Sequence, residues 1–160
     1  MEPEGLSSLS RHEGVDMTKV LHRRSHPSDP LTVLIVDDLL VMRKCVRSLV
    51  ETSSAIRVVG EACNGMAAVR LAQQLHPHLV LMDVHMPGLN GVEATRQIKT
   101  LVPRSTIIGL TAQQEAGTEL AMLSAGADRL LAKEDMVEGL PPVIERAIRQ
   151  RVSERCKPTR

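Results

Sequence analysis

Residues 79–91 read LVLMDVHMPGLNG, an apolar run that stops at an aspartate and passes into a turn rich in Pro, Gly and Asn. The first four residues, Leu79 to Met82, predict a buried strand, because a strand covered on both faces is apolar at every position. Asp83 then stands where the strand ends. Ligands of open parallel sheets bind beyond the carboxyl ends of the strands, which makes Asp83 a candidate functional residue.

The chain from Leu31 onward repeats this alternation of short apolar runs and helical periodicity. Four more runs predict strands: residues 31–36, 56–62, 107–110 and 129–132. Helical patterns follow the strands; the first runs from Leu39 to Val50, and Pro141 to Val152 makes up most of the last. Strands that alternate with helices form a parallel sheet with right-handed crossovers. The predicted fold class is therefore α/β, a five-stranded doubly wound parallel sheet.

The length of 160 residues suits one domain with extensions at its ends. Residues 1–30 are rich in Ser, Pro, His and charge, and they predict a disordered N-terminal arm. Residues 31–152 form the predicted domain, and residues 153–160 form a basic C-terminal tail. We interpret the tail as a solvated surface, since no aromatic residue interleaves with its charges and no base-reading motif accompanies it.

Composition argues against several classes of protein. Cys45, Cys63 and Cys156 are odd in number and lack zinc-ligand spacing, which favours reduced thiols in a cytoplasmic protein over a disulfide framework. The N-terminus lacks the apolar segment of a signal peptide, and no run reaches the roughly 20 apolar residues of a membrane span. The core must be aliphatic, because the chain has eight Met and no Phe, Tyr or Trp.

Polar residues at the strand ends indicate a phosphate site. Asp37 and Asp38 follow the first strand, Thr111 the fourth and Lys133 the fifth. Carboxylates crowded at one sheet edge raise one another's pKa unless a cation lies among them, and Mg²⁺ prefers such oxygen ligands. Asp83 suits a phosphoryl-accepting nucleophile, Lys133 an ion pair with a phosphoryl oxygen, and the Thr111 hydroxyl a hydrogen bond to another. Taken singly, each residue also fits a helix cap or a solvated surface.

In this order, these residues give the chain a family resemblance. Residues 31 to about 152 resemble a receiver domain of the two-component response regulators, in particular receivers that precede a LuxR-type DNA-binding domain. The matching stretches are Asp37-Asp38, the run from Asp83 to Gly91, Thr111-Ala112, and Ala125-Gly126-Ala127-Asp128 before Lys133. The resemblance implies the flavodoxin-like (βα)5 fold with strand order 2-1-3-4-5.

The resemblance also implies the chemistry of the site. Asp83 accepts a phosphoryl group from a histidine kinase or a phosphotransfer protein. Asp38, Asp83 and the backbone carbonyl of His85 bind Mg²⁺ directly, and Asp37 acts largely through water. His85 and Gln113 influence the lifetime of the acyl phosphate.

The family couples its threonine to an aromatic ring on the fifth strand, and here that position is Leu130. A leucine has no ring to turn inward, so the resemblance implies coupling that is weaker or built differently. Self-association through the last helix stays open, because its apolar stripe of Val143, Ile144, Ala147 and Ile148 equally suits packing on the sheet.

Three hypotheses about function remain at this stage. The first is a stand-alone cytoplasmic phosphoacceptor that signals by protein contact or passes phosphate onward, with neither direct DNA binding nor a membrane association. The second is a receiver-like interaction module that works without phosphate. The third is a regulator that has lost its DNA-binding output domain. We do not expect an enzyme acting on outside substrates, because the pocket offers a carboxylate nucleophile but no separate general base.

Overall fold

The computed structural model describes residues 30–113 and 115–155, with side chains up to Arg151. The predicted arm, apart from Pro30, lies outside these residues, as do residues 156–160 of the predicted tail. Strands and helices alternate along the chain: β1 Leu31–Val36, α1 Leu40–Val50, β2 Ile56–Ala62, α2 Gly65–Leu75, β3 Leu79–Asp83, α3 Gly91–Leu101, β4 Thr106–Thr111, α4 Thr118–Ser124, β5 Arg129–Ala132 and α5 Met136–Arg155. A short 3-10 turn, Lys133–Asp135, joins β5 to α5.

The five strands form one parallel sheet in the order β2-β1-β3-β4-β5. This confirms the predicted fold class and strand order. Strand β3 lies at the centre and is buried at every position, as its unbroken apolar sequence predicts. Its neighbours β1 and β4 therefore bring their own carboxyl ends to either side of Asp83.

Two apolar clusters cover the two faces of the sheet. One contains Val46 and Val50 of α1 with Leu140 and Ile144 of α5. The other is built from α2, α3 and α4, and its methionines Met82 and Met122 are fully buried. Unbranched methionine side chains thus fill space that rings occupy in other cores.

The ends of the helices follow local signals in the sequence. The Asn64 and Asn90 side chains accept hydrogen bonds from Ala67 N at 2.8 Å and Glu93 N at 2.9 Å, which caps α2 and α3. Helix α2 stops where His76 turns into the left-handed region with φ 44° ahead of Pro77.

Helix α5 extends beyond the predicted stretch at both ends, and Pro141 to Val152 forms most of it. Its first residue is Met136, so Pro141 and Pro142 lie inside the helix. Met136 and Leu140 of the first turns are buried against the sheet. Their burial offsets the backbone hydrogen bonds that the two prolines cannot donate. The stripe left open for self-association packs in the same cluster, where Ile144 and Ala147 are buried. Among the described residues no helix is long and apolar enough to cross a membrane.

Candidate functional site

The carboxyl ends of β1, β3, β4 and β5 converge on one acidic pocket. Asp37 and Asp83 are 1% and 2% exposed, and Asp38 is half-buried at the pocket's open side. Buried Thr111 ends the neighbouring strand, and Lys133 reaches in from beyond β5 with a side chain only 12% exposed. The structure thus brings together the residues that the sequence places at separate strand ends.

Three carboxylates form the floor of the pocket. Asp37, Asp38 and Asp83 each offer one oxygen, and these oxygens all lie within 4.8 Å of one another. Hard oxygen donors at this spacing suit Mg²⁺, which takes one or two carboxylates and fills its other positions with water or phosphate oxygens. The donor set therefore fits the predicted metal.

Lys133 supplies positive charge to this floor. Its Nζ lies 2.6 Å from Asp37 Oδ2 and 3.1 Å from Asp83 Oδ1. Burial by itself lowers the pKa of Lys133, but the hydrogen bond to Asp37 and the nearby charge of Asp83 outweigh it, so the pKa is raised above its usual value. Lys133 stays an ammonium ion in the pocket, ready to pair with an incoming anion.

The surroundings of Asp83 disfavour its charged form, whereas those of Lys133 favour the charged form. Burial raises the pKa of its carboxyl, the positive charge of Lys133 lowers it, and the negative charge of Asp37 raises it again, with a net rise. Its Oδ1 also accepts a weak hydrogen bond from His85 N at 3.3 Å, which places His85 on the pocket's rim. The ionised form that a nucleophile requires is thus less favoured in the pocket than in water.

A close contact with Gly91 restrains the backbone of Asp83. A Cβ atom on Gly91 would lie 2.1 Å from the Asp83 carbonyl oxygen, so only glycine allows α3 to start there. Gly91 N also donates to Val84 O at 2.9 Å. The last glycine of the LVLMDVHMPGLNG stretch is therefore a packing requirement of the site.

Thr111 faces its own loop in this state. Its hydroxyl donates to Gln113 O at 2.6 Å and accepts a hydrogen bond from Gln113 N at 3.2 Å. The side chain of Gln113 is exposed, as is that of His85. To reach a group on Asp83, the Thr111 hydroxyl must exchange its partner.

Leu130 lies opposite Gly109 in the β4–β5 ladder. A Cβ atom on Gly109 would come within 2.7 Å of both Leu130 Cδ1 and Met122 Cε, so these two side chains fill the space above the glycine. Leu130 is half-buried against the cluster of α2, α3 and α4. The position that a ring takes in the family is here part of aliphatic packing.

The sequence analysis did not single out Arg43 and Glu61. Arg43 lies on the first turn of α1, and its Nη1 donates to the Asp37 carbonyl at 2.8 Å. Its Nε lies 3.3 Å from Glu61 Oε2 on β2. A charged residue on an amphipathic helix usually indicates a solvated side chain, and only a spacing of five residues from Asp38 hints at another role.

The model of the response regulator receiver domain family matches residues 33–144 of the chain. The transcriptional regulatory protein YdfI of Bacillus subtilis is 42% identical over 120 residues, which are 75% of this chain and 56% of YdfI. The nitrate/nitrite response regulator protein NarL of Escherichia coli K12 is 33% identical over 119 residues, 74% of this chain and 55% of NarL.

A different kind of protein also matches. A protein-glutamate methylesterase/protein-glutamine glutaminase of Myxococcus xanthus is 42% identical over 107 residues, 66% of this chain but only 30% of the relative. The chain thus spans about half, or less, of these curated relatives. Among solved structures, a LuxR-family response regulator from Aurantimonas has a TM-score of 0.71 at 30% identity, covering 76% of this chain and 87% of that one.

Replacing Asp83 with asparagine should stabilise the fold in metal-free buffer at pH 7. A carboxyl whose pKa is raised by folding weakens the fold while it is ionised, so we expect Asp83→Asn to increase the free energy of unfolding by about 1 to 3 kcal/mol. The gain should shrink as the pH falls through the raised pKa of Asp83 toward its ordinary 3.8, because Asp83 is then protonated in the wild type too.

Urea unfolding followed by far-UV circular dichroism, with chelator present, measures this difference across pH. Asp135→Asn is the matched control, since Asp135 is exposed and its removal should change stability by less than about 0.5 kcal/mol. A less stable Asp83→Asn at pH 7 would mean that attraction to Lys133 outweighs burial.

Proposed function

Because the chain belongs to the response regulator receiver domain family, we propose that it accepts a phosphoryl group on Asp83 from a histidine kinase or a phosphotransfer protein. The observation that carries this proposal is the buried Asp83 carboxylate, within 3.1 Å of the Lys133 ammonium and beside two further carboxylates. Such surroundings stabilise an anionic nucleophile most when further positive charge and a phosphoryl group enter the pocket together.

In the transfer step, an Asp83 carboxylate oxygen forms a bond to phosphorus as the bond from phosphorus to the donor's imidazole nitrogen breaks. The electron pair of the broken bond stays on that nitrogen. Lys133 pairs with one phosphoryl oxygen, and the Thr111 hydroxyl leaves Gln113 O to donate to another. The products are an aspartyl phosphate and a free donor histidine.

Groups at the pocket would hold the metal. We assign to Asp38, Asp83 and the backbone carbonyl of His85 the contacts that would bind it directly. Asp37 acts through water, since its Oδ1 already accepts from Leu39 N at 2.9 Å and its Oδ2 from Lys133 Nζ at 2.6 Å. When bound, Mg²⁺ neutralises the charge that builds up on the phosphoryl oxygens.

The surface beside the pocket suits a protein donor. Leu39, Leu40 and Val41 are 54%, 54% and 70% exposed where α1 begins, one residue beyond Asp38. An apolar patch next to a phosphorylation site favours docking of a protein over free phosphate compounds. We propose that the receiver signals by protein contact or by phosphorelay in the cytoplasm, where its exposed Cys45 and Cys63 stay reduced.

Incubation with acetyl phosphate and Mg²⁺ should add the mass of one phosphoryl group to the intact protein. We expect no addition in Asp83→Asn or with chelator, and an unchanged addition in Asp135→Asn. Intact-protein mass spectrometry at neutral pH measures the yield. A wild-type protein that stays unmodified, also with purified histidine kinases, would favour the interaction module that works without phosphate.

His85 and Gln113 should set the lifetime of the phosphoryl group. Both side chains are exposed beside residues that contact the site, so they can position or block the water that attacks phosphorus. Replacing both with alanine should change the rate constant of dephosphorylation several-fold while leaving the initial rate of phosphorylation close to that of the wild type. Equal decay of the phosphorylated variant and wild type would rule out this role.

Phosphorylation should loosen the loop that follows Thr111. When the hydroxyl turns from Gln113 O to a group on Asp83, the backbone after β4 loses a partner and Leu130 and Met122 repack around Gly109. Amide hydrogen exchange with beryllofluoride and Mg²⁺ should therefore change around residues 112–135, and Asp83→Asn should abolish the change. An unaltered exchange pattern there in the wild type would exclude switching through this region.

A further inference from the structure

The turn between β1 and α1 carries Asp37 and Asp38, and its backbone is held from outside the pocket. Arg43 Nη1 donates to the Asp37 carbonyl at 2.8 Å and lies 3.5 Å from the Asp38 carbonyl, at the limit of a hydrogen bond. The side chain of Arg43 is only 14% exposed, so this contact is largely shielded from water. The orientation of the two carboxylates depends on a backbone that Arg43 restrains.

Glu61 keeps Arg43 in that position. The Nε of Arg43 lies 3.3 Å from Glu61 Oε2, and Glu61 belongs to β2, the edge strand that contributes none of the pocket's three carboxylates. Arginine presents several donors in a fixed planar fork, so one guanidinium can bind Glu61 and the Asp37 carbonyl together. The carboxylate of Glu61 also neutralises the charge of Arg43. Arg43 therefore restrains the backbone of the turn and does not balance the charge of the pocket's carboxylates.

Arg47 provides an internal comparison. It lies one helical turn further along α1 and donates to the other oxygen of Glu61 at 2.7 Å and to Glu51 at 2.7 Å. Among the described residues the ion-pair partners of Arg47 are Glu51 and Glu61, and neither belongs to the turn that carries Asp37 and Asp38. Loss of Arg47 therefore removes ion pairs from the same network without releasing the turn.

We infer that Arg43 is a positioning residue for the metal pocket: with Glu61 it holds the backbone of Asp37 and Asp38 so that their carboxylates are preorganised for Mg²⁺. This inference rests on the proposed function for the identity of the metal. Groups that orient metal ligands from behind commonly change metal affinity by 10- to 100-fold when removed, on the order given by other metal sites. Arg43 acts through backbone carbonyls, so we expect the lower end of that range.

The test compares Arg43→Gln and Arg43→Lys with Arg47→Gln. Mg²⁺ is titrated without phosphate and followed by amide shifts in NMR spectra, and acetyl phosphate labelling is then measured as a function of Mg²⁺. Arg43→Gln should raise the dissociation constant for Mg²⁺ about 10-fold and leave the labelling rate at saturating Mg²⁺ close to wild type. Arg43→Lys should recover part of the affinity, since an ammonium can still reach a carbonyl.

Arg47→Gln should leave the Mg²⁺ dissociation constant unchanged although it removes two ion pairs. Glu61→Gln keeps Arg43 but removes the charge that pairs with it, so it should raise the Mg²⁺ dissociation constant by a smaller amount. This variant provides the test if Arg43→Gln does not fold. Equal Mg²⁺ constants in the Arg43 and Arg47 variants, at comparable unfolding free energies, would overturn the inference. A different result would separate the two proposals. If Arg43→Gln binds Mg²⁺ more weakly but the wild type accepts no phosphoryl group, the proposed function is refuted and the positioning role of Arg43 stands.

Discussion

Repulsion between three carboxylates at one end of a parallel sheet is the constraint on which the site depends. Asp37, Asp38 and Asp83 place oxygens within 4.8 Å of one another, and two of these residues are almost fully buried. Such crowding costs free energy unless positive charge offsets it. Lys133 offsets this repulsion at Asp83, but burial disfavours the ionised carboxylate and leaves the pKa of Asp83 raised. The pocket therefore needs more positive charge than Lys133 provides, and a divalent cation can supply it.

The backbone around the pocket is held tightly enough to keep these charges together. Gly91 packs so closely against the Asp83 carbonyl that no side chain fits, and Arg43 donates a hydrogen bond to the carbonyl of Asp37. Neither residue contributes a charge to the pocket floor. Preorganisation of this kind moves the cost of assembling like charges from ligand binding to folding, where the two apolar clusters of the sheet supply the compensating free energy.

Aliphatic side chains pack between the site and the surface of α4 and β5. Leu130 and Met122 share the space above Gly109, two residues before Thr111 on β4. Flexible, unbranched methionine can repack in small steps, whereas a ring changes between a few discrete positions. The acidic pocket and the surface of α4 and β5 are therefore connected through side chains that can repack in small steps.

The sequence by itself determined the fold class, because buried parallel strands are apolar throughout and the helices between them keep a different period. It also determined which residues stand at strand ends, since each polar residue directly follows an apolar run. The pattern of the sequence predicted most of α5 but not its first residue, because burial of Met136 and Leu140 outweighs a local signal from two prolines. Only the tertiary structure decided that Lys133 pairs with Asp37, 96 residues away, and that Arg43 joins β2 to the acidic turn. Contacts between separate elements depend on the register and order of the strands, which no local pattern of residue types encodes.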